Sequence, residues 1–219
     1  MKKYRLGFMS FNALNHLLKI VLLFFPLIAN PFVGFSSNTE DSIRFSQVIS
    51  LYNQHNFTKY ITVANEKSNK LADKKYHFQL EYFLSKAYLK IRDEENAIRI
   101  AHTQLNSNLT FNQRVSTYLL LAEGYLQKSN RDSAKYFLHK ISPDTSRLKN
   151  KQLLSNYFLL CARSKIGGDS DGTSDFLKKS MQLMNENNPN IGSLYSYIAY
   201  DLSKSRQIDS ALNVLSKGL

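Results

Sequence analysis

A small residue returns at nearly constant intervals through this chain, and that period limits the fold more than any other feature. Ala97, Ala134, Thr173 and Ala211 follow one another after 37, 39 and 38 residues. Four residues beyond each stands a second recurring position, Ala101, Leu138, Leu177 and Leu215. Upstream lies a stretch of constant build: Glu81, Leu84, Ser85 and Tyr88, then Tyr118, Leu121, Ala122 and Tyr125. It recurs as Tyr157, Leu160, Cys161 and Ser164, and again as Tyr195, Ile198, Ala199 and Leu202. An earlier, degenerate unit fits the frame with Val48, Leu51, Tyr60 and Ala64. Spacings of three, four and seven residues share one helical face. Each unit is therefore two helices joined by a polar turn, and Ala122 and Ala134 let the two approach closely. Asp132-Ser133-Ala134 and Asp209-Ser210-Ala211 open second helices, where an aspartate satisfies free backbone N–H groups and complements the dipole.

The composition agrees with helices. The 219 residues include 8 Gly and 4 Pro, too few for a turn-rich all-β fold. The pattern aromatic-x2-Leu-small-x2-Tyr followed by Ala-x3-Phe resembles the tetratricopeptide repeat (TPR) family. The resemblance covers about residues 40–219, best from Tyr118 to Leu138 and weakest in the unit with Ser164 and Thr173. The repeats are longer than the family's usual length of about 34 residues, Trp is absent, and most units lack the terminal Pro. The resemblance implies an all-α fold, an α-solenoid of antiparallel helical hairpins wound as a right-handed superhelix, with about five repeats in residues 37–219. Tyr88, Tyr118, Tyr125, Tyr157 and Tyr195 are expected to pack in its cores.

Residues 1–36 read as a separate address. They hold Lys2, Lys3, Arg5 and Lys19 and no acidic residue, with an apolar run from Ile20 to Ala29 and small residues after Gly34. A positive flank, a short apolar centre and small residues at a cleavage point make a secretory signal peptide. Pro26, Asn30 and Pro31 interrupt what would otherwise approach the roughly 20 apolar residues of a spanning helix; left uncleaved, the segment would anchor the chain to a membrane. No cysteine follows the run to carry a lipid. The expected location is thus the periplasm or cell envelope. Removing the leader leaves 25 basic and 17 acidic residues, a formal net charge of +8 instead of +12. Asn56-Phe57-Thr58 and Asn108-Leu109-Thr110 match the glycosylation triplet, which matters only in a eukaryotic secretory pathway.

The chemistry of enzymes is missing from the pattern. The histidines His16, His55, His77, His102 and His139 form no metal-binding arrangement such as H-E-x-x-H. Cys161 is the one cysteine; it has no partner for a disulfide and sits in an apolar run as a structural thiol. Gly167-Gly168-Asp169-Ser170-Asp171-Gly172 lacks the glycine and glutamate of a calcium loop and reads as the turn of a hairpin. No Gly-rich phosphate cradle occurs, so no catalytic residue, metal or cofactor is expected.

What remains is a groove. In the family, equivalent positions of the first helices line a concave surface that holds an extended peptide or a partner's helix. Carried onto this chain, one row is Phe45, Tyr82, Leu119 and Phe158; the next is Ile49, Lys86, Glu123 and Ala162; a third is Tyr52, Leu89, Leu126 and Lys165, with Lys90 beside it. Such a surface suits a protein or peptide segment with apolar side chains and some acidic character. Tyr82, Lys86, Leu120, Ser155 and Leu159 stand where some family members carry a Lys/Asn/Arg carboxylate clamp, so that clamp is absent. The basic residues are dispersed over turns and second helices as a solvated outer face, and nucleic acid is not an expected partner.

The expected function is a non-catalytic exported scaffold. The alternative is the sensor region of a signalling protein, since the chain also resembles exported repeat regions that precede a transmembrane helix and a kinase or helix-turn-helix module. The segment from Ala211 to Leu219 reads as an apolar second helix without a polar cap, so a longer chain, an oligomer partner or poor order is expected there.

Overall fold

The computed structural model describes residues 39–68, 74–165, 172–184, 188 and 190–217. The leader at 1–36 and the glycine-rich turn, apart from Gly172, lie outside the described residues. Among the described residues there are ten α-helices and no strand. They are α1 (Thr39–Asn53), α2 (Phe57–Ser68), α3 (Lys74–Lys90), α4 (Glu94–Leu105) and α5 (Phe111–Gln127). The series continues with α6 (Arg131–Ile141), α7 (Lys151–Lys165), α8 (Thr173–Leu183), α9 (Ile191–Lys204) and α10 (Ile208–Lys217). A 3₁₀ segment, Ser142–Arg147, joins α6 to α7.

The helices pack in adjacent pairs, α1 with α2 through α9 with α10, giving an α-solenoid of five hairpins. Each internal second helix also packs against the next hairpin's first helix. Consecutive first helices α1, α3, α5 and α7 touch one another, whereas among the described residues consecutive second helices share no comparable contact. The first helices therefore lie on the inner side of the array.

The apolar residues divide into several thin cores instead of one centre. Val48, Tyr60, Ala64, Leu84 and Ala87 fill the first. Leu121, Ala122, Phe137, Leu138 and Leu160 belong to the largest. Leu159, Ala162, Leu177 and Leu194 form the last. The recurring small residues sit where helices meet: Ala64, Ala101, Ala122 and Ala134 expose no surface. Gly124 extends the same logic, since a Cβ there would stand 2.8 Å from Ile98 Cγ1. Buried polar side chains pin helices across the cores. Tyr60 donates to the Leu80 carbonyl at 3.0 Å, and Ser85 to that of Ala97 at 3.0 Å.

Four intra-hairpin turns share one backbone geometry. His55, Arg92, Ser129 and Arg206 adopt left-handed φ values of 58°, 65°, 59° and 59°. The next amide in each turn donates back five residues: Asn56 to Leu51, Asp93 to Tyr88, Asn130 to Tyr125 and Gln207 to Leu202, at 2.8–3.0 Å. In three of them that same residue caps the second helix. The Oδ1 atoms of Asn56, Asp93 and Asn130 accept from the amides of Lys59, Asn96 and Ser133. The cap of α6 is thus Asn130. Asp132, expected at the helix opening, lies inside the first turn, where its charge favours the dipole.

The fourth hairpin departs from the expected frame by one residue. Phe137 on α6 meets Tyr118 and Tyr125 at ring-centroid distances of 6.1 and 5.7 Å. Its counterpart Phe176 on α8 meets Phe158 at 6.1 Å, with Lys165 Nζ 5.8 Å above its ring. Phe158 therefore corresponds to Tyr118 and not to Leu119. A buried bond repeats the offset: Gln104 donates to the Phe78 carbonyl at 3.1 Å, and Ser180 donates to that of Ser155 at 3.0 Å. The longer 3₁₀ connection before α7 accommodates the shift.

On α10, Ile208, Leu212 and Leu215 are 54%, 60% and 42% exposed, while Ala211 is buried.

A left-handed backbone costs a non-glycine residue about 1–2 kcal/mol, against about 0.5–1 kcal/mol of chain entropy that glycine would lose on folding. Ser129→Gly is expected to stabilise the array by about 0.5–1 kcal/mol, and Ser129→Val to destabilise it by about 1–2 kcal/mol. Urea unfolding of the two variants beside the parent checks the sign of each.

Candidate functional site

The inner face of the array carries a row of polar and aromatic side chains, one or two from each first helix. On α1 it holds Tyr52, whose ring lies 4.9 Å from Phe83 of α3. On α3 it holds Tyr82 and, one turn on, Lys86, with Nζ 5.6 Å from the Tyr82 ring centroid. Glu123 follows on α5, and Arg163 of α7 reaches it at 3.8 Å. The Arg163 guanidinium also lies 5.6 Å from the ring centroid of Tyr197 on α9. These residues span all five hairpins.

Electrostatics tie the row together. The Lys86 pKa is held above the ordinary lysine value, chiefly by Tyr82; burial opposes this, while Tyr52 and Glu123 reinforce it. Burial raises the hydroxyl pKa of Tyr52, and Lys86 works against that rise. Lys86 and Arg163 carry two positive charges around one Glu123 carboxylate, so the row keeps a positive excess. Half-buried charges of this kind gain more from pairing than fully solvated ones.

The nine residues expected to bind a partner fall into four groups. Phe45, Leu89 and Leu119 are core: each is at most 6% exposed. Phe45 stacks near Tyr76 at 5.2 Å, and Leu89 approaches Gly124. Tyr82, Lys86 and Glu123 lie together in the inner row. Phe158 and Lys165 lean on their own second helix: Phe158 meets Phe176, Lys179 Nζ sits 5.7 Å over Phe158, and Lys165 lies over Phe176. Lys90 is exposed at the end of α3. The row expected through Phe45, Tyr82, Leu119 and Phe158 is thus not one surface. Its first and third members face inward to the packing, and the frame shift turns the fourth aside. The same shift hid Arg163, whose place in the row had been given to Ala162, which exposes no surface. Tyr197 was missed as well, because it stands 34 residues after Arg163 and so off the repeat interval.

Cys161 is 7% exposed. Burial pushes its thiol pKa up to about 11, with the hydrogen bond to Tyr157 and the Lys165 charge acting in the other direction. A thiol so placed is protonated at neutral pH and a poor nucleophile. Among the described residues no group of three or more His, Cys, Asp or Glu side chains converges closely enough to hold a metal ion. Among the described residues, too, no helix is long and apolar enough to cross a membrane.

Two solved structures of MamA show what the chain is similar to. The MSR-1 form overlaps with a TM-score of 0.48 at 15% identity, over 83% of this chain and 95% of that one. The AMB-1 form gives 0.41 at 17% identity, over 83% and 91%. No protein-family model matches the chain, and no curated protein does. Neither overlap is close enough to carry a function across. A TPR-like helical repeat fold stands on the paired helices and their period.

The buried thiol makes a pH test. An unfolded thiol ionises near its ordinary value, whereas native Cys161 does so only near pH 11. Its contribution to stability is intact below the ordinary thiol pKa and is lost as pH rises toward about 11. The urea midpoint should fall over that window, and fall less steeply in Cys161→Ala; equal slopes would refute the assignment.

Proposed function

We propose that the chain is a non-catalytic, exported scaffold that binds a protein or peptide along the inner side of its first helices. The observation that carries this reading is the continuous row Tyr52, Tyr82, Lys86, Glu123, Arg163 and Tyr197. It supplies an aromatic or a charged side chain from every hairpin, each of them partly exposed. Aromatic and arginine side chains dominate binding energy at protein interfaces. The positive excess favours a segment with acidic residues among apolar ones. An extended segment could engage several hairpins at once, each adding a few side-chain contacts to the last.

Export is supported by the basic flank, short apolar run and small residues of positions 1–36. The periplasm or cell envelope is the location proposed. A lone buried thiol suits an oxidising compartment, because it offers no second cysteine for pairing.

A photoreactive amino acid placed at Tyr82 or at Tyr197 in the native cell tests the groove. Both positions should crosslink to one and the same polypeptide, while Tyr136, which is 57% exposed on second helix α6, should not. Crosslinking from Tyr136 alone would place the partner on the outer face and sink the reading. The leader has its own check. The protein recovered from those cells should begin near residue 37, and an intact Met1 in a soluble cytoplasmic fraction would refute export.

A further inference from the structure

Beside the fourth rung of the row lies a hollow of about 170 Å³, lined by Leu126, Ser129, Arg131, Arg163 and Tyr197. We infer that this hollow is a carboxylate subsite, taking the side chain of an aspartate or glutamate in an extended segment that crosses the groove. The inference rests on the groove reading above and names the chemistry that one part of the groove selects.

Two guanidinium groups line the hollow, and no lining residue is acidic. Arg163 comes from first helix α7 with its side chain 19% exposed. Glu123 is its ion-pair partner, and at 3.8 Å that contact is too long for a hydrogen bond. The N–H donors of Arg163 are therefore not taken up by Glu123. Arg131 is the first residue of α6, where the positive end of the helix dipole adds to its own charge. A guanidinium presents a planar fork of donors matched to a carboxylate. A carboxylate placed between Arg131 and Arg163 would offset part of the positive excess that Lys86, Arg131 and Arg163 leave over Glu123.

The walls say what carries the anion. Leu126 and the Tyr197 ring offer apolar surface, and Ser129 and Tyr197 bring neutral hydroxyl groups to the lining. Methylenes fit against such walls while the carboxylate faces the arginines. At about 170 Å³ the hollow lies well under the roughly 300–1,000 Å³ of small-molecule pockets. One side chain from a passing segment fills a hollow of that size. Along the row, Tyr82 and Lys86 precede it, and Tyr197 of α9 forms its far wall. A chain running through that position presents a side chain there, not its terminus.

The test uses the full chain as purified from cells and a displayed library of random linear peptides as the probe. Peptides retained by the parent and lost on Tyr82→Ala define groove binders. These should carry an aspartate or glutamate next to an apolar residue. For a selected peptide, Arg131→Gln should weaken binding about tenfold, replacing the peptide's acid with its amide should do the same, and the two losses should not add. Amidating the peptide's C-terminus should change nothing. Arg131→Glu should shift the selection toward lysine and arginine. Arg131 is exposed and its substitution spares the Glu123–Arg163 pair, so circular dichroism should be unchanged. Groove binders without an acid, or binding lost on C-terminal amidation, would overturn the subsite and leave the groove reading standing. Failure of any peptide to depend on Tyr82 would overturn both.

Discussion

A second helix can settle between two first helices only where its side chains are small enough to let the backbones approach. Ala64, Ala97, Ala101, Ala134 and Thr173 meet that condition, each no more than 2% exposed. Gly124 meets it from the other side, against Ile98 and Leu89 of the preceding hairpin. Everything else in the array follows from this close approach. It sets the distance between consecutive first helices, and it decides which of their residues reach the inner face. It also explains why the cores are thin: each small contact allows only a modest group of large residues, such as Tyr60 or Leu121, to close around it.

With the spacing fixed, the turns bring the hairpins into phase. The left-handed residue in four of the turns closes the end of the first helix, and the next residue caps the second in three of them. Few residues are left over for independent motion at these corners. The inner face then receives one turn of each first helix, and those turns carry Tyr52, Lys86, Glu123, Arg163 and Tyr197. The Glu123–Arg163 contact and the Arg163–Tyr197 contact join hairpins three, four and five across that face. The same side chains that offer a binding surface thus also help hold neighbouring repeats together.

Much of the fold was legible because it depends on residue size, which a sequence displays directly. The alanines at near-constant intervals gave the hairpins, and Val48, Tyr60 and Ala64 marked the degenerate first unit. The candidate site was legible only in part. Tyr82, Lys86 and Glu123 were found because the second and third repeats keep the same frame. Arg163 was not, because Tyr157 and Phe158 are adjacent aromatics, and Cys161 and Ala162 adjacent small residues; Tyr197 was not, because it stands off the repeat interval. Either member of each pair satisfies the pattern, so periodicity alone could not detect the shift. The left-handed turns were equally hidden: histidine, arginine and serine occupy positions where glycine would have announced the geometry. Phe45, Leu89 and Leu119 lie in the packing for another reason. An apolar residue at a groove position can face either the groove or the adjacent repeat, and its own chemistry does not choose.

The shift of one residue in α7 bears on any partner that lies along the array. The extra residue is absorbed in the 3₁₀ connection, so Phe158 stands where Tyr118 stands in its own hairpin and Arg163 lines up with Glu123. A segment in step with α1, α3 and α5 therefore meets α7 still in step. An insertion between hairpins lengthens the chain without interrupting the surface that the first helices present.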